Sequence, residues 1–487
     1  MITSEEMAVV DANAEALGVP RKQLMESSGN AVARAVRDVA DPGASVALVC
    51  GRGNNGGDAF VAARFLSGYD VTVHLLGRAE TIAMSISREN FEALSAAEIE
   101  TREIRDSTGL DLGGPDVVVD AMLGTGVTGA LREPEASAAG TINDTDATVV
   151  AVDVPSGVDA DTGKAAGTAV EADRVVTFHD EKPGLRKVEA DVTVADIGIP
   201  AAAERIVERG DLLRLSRDPT AHKGEFGTVL VVGGGPYTGA PALSAQAALR
   251  AGADLAYVAC PETVADEIQG YSENLIVRPL SSGRLISEDV PELLSLAAET
   301  DCVVIGPGLG DAEGTLGAVR SFLSGFDGTA VVDADALSVV PEVDTSATLI
   351  CTPHQGELRK MGGETATNPD DRAELVSAFA AELGVTLLVK GEHDIVSNGD
   401  RTRHNRTGNP GMTVGGTGDV LAGATGAMAC VLDPLAAASL GAYANGRAGD
   451  LVVEEFGYGL VASDLLDALS RALWPDGFFA PGTENEV

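Results

Sequence analysis

Short apolar runs alternate with helical patterns along most of this chain. Thr3-Ser4-Glu5-Glu6 has the spacing of a capping box, in which the first and fourth residues satisfy each other's backbone amides; it predicts a helix to about Leu17. A second helix is expected after Pro20, running to near Val39. ASVALVC (44–50), VTVHLL (71–76), DVVVDAML (116–123), TVVAVDV (148–154) and RVVTF (174–178) read as strands, and this set closes with Asp196-Ile197-Gly198-Ile199-Pro200. After DLLRLSRDPTAHKGEFG the pattern restarts: TVLVVG (228–233), LAYVAC (255–260), CVVIG (302–306), TAVVDA (329–334), ATLICT (347–352) and TLLVK (386–390) are strands, and a helix-rich tail follows from about Asp419. Strands that are apolar throughout are buried on both faces, and their alternation with helices predicts βαβ units around largely parallel sheets. The expected fold class is α/β, with two three-layer αβα domains. The boundary falls between Pro200 and Lys223 and is drawn to give residues 1–212 and 213–487. The two halves share this layering but no internal repeat is evident.

Composition sharpens this picture. A chain of 487 residues is too long for one core. Aromatic residues are only 4%, so the cores rely on Val, Leu, Ile and Ala. The net charge is −40, and seven of the 34 cationic residues are Lys. A nucleic-acid binder needs a basic footprint, and none is visible, so that class is excluded. An acidic, Lys-poor surface points to adaptation to high salt, where screening removes most of the self-repulsion. Cys50, Cys260, Cys302, Cys351 and Cys430 are odd in number, form no CxxC and lie in or beside apolar runs, which suits free thiols in a reducing compartment. The first residues lack the basic and apolar regions of a signal peptide. The longest uncharged stretch, Thr228 to Leu249, is broken by Gly233-Gly234-Gly235-Pro236 and Gly239-Ala240-Pro241 and does not read as a membrane span. A cytoplasmic protein is expected, and a homo-oligomer.

The first candidate site begins after the first strand, at Gly51-Arg52-Gly53-Asn54-Asn55-Gly56-Gly57-Asp58. Glycines at a strand-to-helix turn let backbone amides approach a phosphate, and the helix dipole favours the anion. The string is not GxGxxG, which argues against a dinucleotide-redox site. Two later strand ends carry Asp120 before Gly124-Thr125-Gly126-Val127-Thr128-Gly129, and Asp153 before Pro155-Ser156-Gly157. Each Asp alone would be read as a cap or turn residue. Three at successive strand ends predict one crevice shared by Asp58, Asp120 and Asp153.

The second candidate site is Asn405-Arg406-Thr407-Gly408-Asn409-Pro410-Gly411-Met412-Thr413-Val414-Gly415-Gly416-Thr417-Gly418-Asp419, followed by an apolar helix. Glycines before a helix expose unpaired amides that form an anion hole. A carboxylate in the first helical turn then stands beside the bound anion, where it can deprotonate a substrate hydroxyl during phosphoryl transfer. As a mere helix-terminal charge, Asp419 would contribute only about 0.3–1 kcal/mol. Strand ends upstream, at Gly306-Pro307-Gly308-Leu309-Gly310, Asp333-Ala334-Asp335, Thr352-Pro353-His354 and Lys390-Gly391-Glu392-His393-Asp394, fit the same crevice. None of the six His has zinc-ligand spacing, and a lone His such as His354 is more often structural.

These strings resemble two known families. GRGNNGGD, VDAMLGTGVTG, VDVPSGVDADTG, TFHDEKPGL and DIGIP are similar to the NAD(P)H-hydrate epimerase domain, which is Rossmann-like, over roughly the first 200 residues. The resemblance implies interconversion of the R and S epimers of hydrated NADH or NADPH, with a potassium ion held by Asn55, Asp120 and Ser156. Substrate contacts fall on Asn54, Asn55, Gly56, Gly57 and Asp58, on Gly124, Thr125, Gly126, Val127, Thr128, Gly129 and Ala130, and on Asp153, the candidate acid/base group. Lys182 either neutralises a phosphate, orients that Asp, or lies on the surface. HKGEFGTVLVVGG, GAPALSAQAALRAGA, IGPGLG, DADAL, TPHQGEL and NRTGNPGMTVGGTGDVLAG are similar to ADP-dependent NAD(P)H-hydrate dehydratase, which is ribokinase-like, over roughly 220–470. That family phosphorylates the S epimer and eliminates phosphate, giving NAD(P)H, AMP and phosphate. The resemblance implies that Ala240, Gly308, His354 and Asp419 meet the hydrate, and that Lys390, Gly391, Glu392, His393, Asp394 and Gly418 meet ADP, the phosphoryl donor; Mg2+ is expected with the nucleotide. The departures are Ala59, Gly235 and Gln355, where glycine, serine and proline are common. The rival is a ribokinase-type small-molecule kinase with a regulatory N-terminal binding module.

Overall fold

The computed structural model describes residues 1–475 except 107, 108, 127, 128, 216, 219 and 282. The chain divides into two compact units, Met1–Ala203 and the part beginning at Glu204.

The first unit is built on seven strands: β1 (Ser45–Cys50), β2 (Asp70–Leu76), β3 (Glu100–Ile104), β4 (Val117–Ala121), β5 (Thr148–Val152), β6 (Arg174–Phe178) and β7 (Asp191–Ala195). They run in the order β3-β2-β1-β4-β5-β6-β7, all parallel. Side chains alternate between faces along a strand, and the cores follow that alternation. Val46, Leu48 and Cys50 join one core with helices α1 (Ser4–Ala16), α2 (Arg21–Val39) and α3 (Asn54–Phe65). Val49 and Val118 face a second core, closed by Ala138, Ala139 and Ile142 of the Glu135–Asn143 helix. This makes three layers. The expected capping box is present: the Glu6 amide donates to Thr3 Oγ1 at 3.2 Å and the Thr3 amide to Glu6 Oε2 at 3.2 Å. The run TVVAVDV leaves the sheet at Val152, because Asp153 takes a left-handed backbone at φ +64°.

The second unit has nine strands: β8 (Thr228–Val232), β9 (Leu255–Pro261), β10 (Ile276–Leu280), β11 (Cys302–Ile305), β12 (Thr329–Val332), β13 (Thr348–Cys351), β14 (Thr386–Val389), β15 (Asp394–Ser397) and β16 (Thr402–Asn405). Their order is β10-β9-β8-β11-β12-β13-β14-β15-β16; β14 pairs antiparallel with β15, and β15 with β16. Val229, Val231, Val304 and Val331 pack against the Gly239–Arg250, Thr417–Ala429 and Pro434–Phe456 helices. Leu230, Val232, Val303 and Ile305 face a separate core with Leu293, Phe322 and Val376. Burying each such aliphatic side chain stabilises the fold by about 1.5–3 kcal/mol. All five cysteines are free, and all but Cys430 are buried. Among the described residues, no helix is long and apolar enough to cross a membrane.

Strands β3, β7, β10, β15 and β16 lie outside the sequence expectation. β3, β7 and β10 each bury only one of their five positions, so they lack the apolar run that marks a central strand.

Candidate active sites

In an open parallel sheet, ligands bind beyond the carboxyl ends of the strands where the strand order reverses. In the first unit that point lies between β1 and β4, and a cavity of about 340 Å3 is lined there by Asn54, Asn55 and Asp58 from the start of α3 and by Gly124, Thr125 and Gly126 after β4. Gly56 lies behind it; a Cβ there would come within 2.2 Å of the Gly51 carbonyl oxygen, so only glycine lets the turn fold onto itself. Asn55 ties the floor together, donating from Nδ2 to the Leu123 and Val152 carbonyls at 3.0 and 2.8 Å.

Asp58 and Asp153 both line the cavity. Asp58 is buried, and burial together with the charges of Asp153 and Asp11 pushes its carboxyl well above the ordinary range. Asp153 accepts a hydrogen bond from Thr177 Oγ1 at 2.9 Å and pairs with Lys182 Nζ at 3.0 Å. Lys182 is fully buried and also donates to the Phe178 carbonyl at 2.8 Å, which rules out its reading as a surface lysine. Asp120 is not among the cavity-lining groups. It is buried behind them and accepts from the Ser156 amide at 2.8 Å, the Ser156 hydroxyl at 2.7 Å and the Met122 amide at 3.2 Å. Burial raises Asp120 to about 6 against the pull of those hydrogen bonds. The expected crevice therefore collects Asp58 and Asp153, while Asp120 and Ser156 form a second layer. Gly57, Gly129 and Ala130 are not on its wall, and Val127 and Thr128 lie outside the described residues.

One wall was absent from the sequence reading. Ser4, Met7, Ala8 and Asp11, spaced as one face of α1, line the same cavity. The signal for it was available: Asp11 stands between Val10 and Ala12, both buried in the core.

In the second unit the order reverses between β8 and β11. Ala240 and Gly308 meet there, with a Cβ on Gly308 falling 3.4 Å from the Ala240 Cβ. Asp419 is the third residue of the Thr417–Ala429 helix, whose N-cap Gly416 needs the left-handed backbone at φ +98°. The turn stays open at Gly415, where a Cβ would meet nothing within 4 Å. Ser244, one turn after Ala240, donates to the Asp419 carbonyl at 2.8 Å and locks the helix start against its neighbour.

Lys390 follows β14 and holds its ammonium 3.0 Å from Asp333 Oδ1 and 3.8 Å from Glu357 Oε2. Thr352 Oγ1 donates to the same Asp333 oxygen at 2.8 Å. The ammonium also lies 3.3 Å from where a Gly418 Cβ would stand, so it hangs over the glycine turn beside Asp419. Burial alone would lower Lys390, yet Asp333 and Glu357 hold it above its ordinary value. Burial and Asp333 push Asp419 up to about 7, with Lys390 opposing. Sequence reasoning gave Asp333 and Glu357 no role; their signal was a carboxylate directly after a strand at Asp333 and one in the first turn of the following helix at Glu357.

His354 caps the Gln355–Lys360 helix, its Nδ1 accepting from the Gly356 and Glu357 amides at 2.9 and 3.1 Å while the side chain stays exposed. Asp394 turns inward, accepting from the Gly391 amide at 3.0 Å and Asn405 Nδ2 at 2.9 Å; Glu392 is exposed and His393 half-buried beside it. The asparagines of the glycine-rich loop shape it: Asn409 caps the Pro410–Met412 turn and donates to Asp450 at 2.9 Å.

These two crevices define a two-unit α/β enzyme with a separate carboxylate-bearing site at the strand ends of each unit. The model for NAD(P)H-hydrate dehydratase matches residues 229–471, and that for the YjeF-related protein N-terminus matches 21–184. The bifunctional NAD(P)H-hydrate repair enzyme Nnr of Methanothermobacter thermautotrophicus is 44% identical over 97% of this chain and 95% of its own length. The enzyme of that name from Pyrobaculum aerophilum is 42% identical over 97% and 98%. A solved ADP/ATP-dependent NAD(P)H-hydrate dehydratase from Bacillus subtilis is 28% identical with a TM-score of 0.47, covering 53% of this chain and 94% of its own. The chain belongs to the family of bifunctional NAD(P)H-hydrate repair enzymes.

Proposed function

We propose that the first unit interconverts the R and S epimers of NADH or NADPH hydrate and that the second dehydrates the S epimer at the expense of ADP. The observation that carries this is the grouping of Asp419, Lys390 and an open glycine turn at one helix start. Asp419 takes the proton of the ring hydroxyl, and the amides of Gly415 to Gly418 receive the transferring phosphoryl group. Lys390, fixed by Asp333 and Glu357, balances charge as the phosphoryl moves. Phosphorylation turns hydroxide, a poor leaving group, into phosphate, a good one, and elimination restores the dihydropyridine. Ala240, Gly308 and His354 hold the hydrate; Gly391 to Asp394 and Gly418 hold ADP. Mg2+, where bound with ADP, would supply positive charge at the phosphates, as a hard cation with oxygen ligands does.

In the first unit, Asn54 to Asp58 and Gly124 to Gly126 receive the substrate, and Asp153, oriented by Lys182 and Thr177, exchanges protons with it. Asn55, Asp120 and Ser156 suit a potassium ion: they offer oxygen donors around one buried carboxylate, which burial alone disfavours in its charged form. The ion would supply a compensating positive charge beneath the turn. Free, mostly buried thiols accord with a cytoplasmic setting.

Supplying S-NADH hydrate and ADP tests the reading. Return of near-UV absorbance with one AMP released per NADH supports it. A stable phosphate ester with no NADH would instead make the chain a ribokinase-type kinase. The match of the dehydratase model over 229–471 does not favour that alternative, and Asp153 paired to Lys182 does not favour a merely regulatory first unit.

A further inference from the structure

Hydration of a dihydropyridine places the hydroxyl on the ring carbon next to nitrogen, because that carbon carries the iminium charge. Inverting this centre takes two proton transfers: one as the hydroxyl leaves as water, one as water returns to the other face of the ring. One carboxylate of fixed charge does only half of this. The cavity of the first unit holds a further carboxyl, that of Asp11.

Asp11 comes from α1, and Asp153 from the turn after β5, and both line the cavity. The helix that carries Asp11 is fastened in place. The Ile2 amide donates to the Glu181 carbonyl at 3.0 Å, the Ser4 amide to Asp161 at 2.9 Å, and Asn13 Nδ2 to the Ala203 carbonyl at 3.1 Å. Resting on the epimerase reading of this unit, we propose that Asp11 is the second proton-transfer residue, the acid that complements Asp153.

The two carboxyls differ in what surrounds them. Asp153 has the Lys182 ammonium at 3.0 Å as its partner. Burial raises Asp11 to about 7, opposed by Arg21 and Lys182 and reinforced by Asp153. Asp58, from α3, also faces this group and is raised well above the ordinary range. Asp11 therefore keeps a proton to give up to about pH 7, beside an Asp153 that is paired with Lys182. In the forward direction, the hydroxyl of the R epimer takes the Asp11 proton and leaves as water, while the ring nitrogen lone pair forms the iminium. Water then adds to the opposite face and gives its proton to Asp153. One proton enters and one leaves, the substrate is isomerised with no net change, and proton exchange with solvent resets the pair.

Asp11→Asn tests this with stereochemically pure R-NADH hydrate, epimerisation being followed against the spontaneous rate. General acid catalysis typically supplies about 10²–10⁴-fold, so kcat should fall at least about 100-fold with KM little changed. The dehydratase rate on S-hydrate should be unaffected in the same preparation, and a first-unit melting temperature no lower than that of wild type shows that the variant is folded. In the wild type, epimerisation should decline as pH rises above about 7, and that decline should vanish from the residual activity of the variant. Epimerisation by the variant at near the wild-type rate, a loss confined to KM, or a decline that persists unchanged overturns the proposal. If the variant does not fold, the wild-type profile decides: a rate still flat well above pH 7 overturns it. Wild-type protein that never exceeds the spontaneous rate sinks the epimerase reading itself, a different failure.

Discussion

Asp419 stands in the first turn of a helix, where the macrodipole favours an ionised carboxylate, yet burial and Asp333 hold it near 7. A base must be deprotonated to accept the hydroxyl proton, so NADH recovery should rise as pH passes through about 7 and fall below it. A rate independent of pH between about 5.5 and 8.5 would contradict that assignment. In the first unit, Lys182→Met would leave Asp153 buried without its counter-charge. Breaking such a pair costs about 3–5 kcal/mol, so the first unit should unfold at markedly lower temperature and epimerisation should be lost. An unshifted melting curve would show that the pair contributes little. Asp11 carries a stability signature as well. Its folded value of about 7 lies above the unfolded 3.8, so ionising it opposes folding, and the penalty grows as pH rises from about 4 to 7. Asp11→Asn should therefore melt higher than wild type at about pH 8.5 and no higher at about pH 3.5. At this scale the sequence showed Asp419 and Asp153 through their motifs. It could not show that Lys182 is buried or that Asp11 reaches the cavity, because both depend on α1 and the turn after β6 packing over distant strand ends.

Central strands were legible because burial on both faces demands continuous apolar runs, as in SVALVC and TVLVV. Edge elements were not. β3, read as ETREI, exposes most of its side chains, and β15 and β16 form a hairpin of four-residue strands around Asn398 and Asp400, too short to show a period. The motifs fared better than the elements, since glycine in a turn reports a backbone constraint that polar edge residues do not. Gly56→Ala tests one such constraint: its Cβ would sit 2.2 Å from the Gly51 carbonyl oxygen, and backbone cannot yield as a side-chain tip does. The turn must shift, at a cost of about 1–3 kcal/mol, and epimerisation should fall while dehydration continues. Equal epimerisation in the alanine variant would mean that the turn tolerates rearrangement.

Each unit has two hydrophobic cores and its own strand-order reversal, so the chain carries two candidate crevices on one repeated architectural rule. A net charge of −40 acts on all of it. The Debye length shrinks from about 10 Å at 0.1 M salt to about 3 Å at 1 M, so melting temperature should climb with NaCl as self-repulsion is screened. At constant ionic strength, exchanging Na+ for K+ should add a further increment in the first unit that Asp120→Asn abolishes; no difference between the ions would count against the potassium site. The most direct measurement gives an equal mixture of R- and S-NADH hydrate with excess ADP to wild type and to Asp419→Asn. The wild type should convert both epimers completely to NADH with matching AMP. The variant should form no NADH, yet still re-equilibrate a sample of pure R-hydrate. NADH formed by the variant at the wild-type rate would show that the chemistry does not pass through this carboxylate.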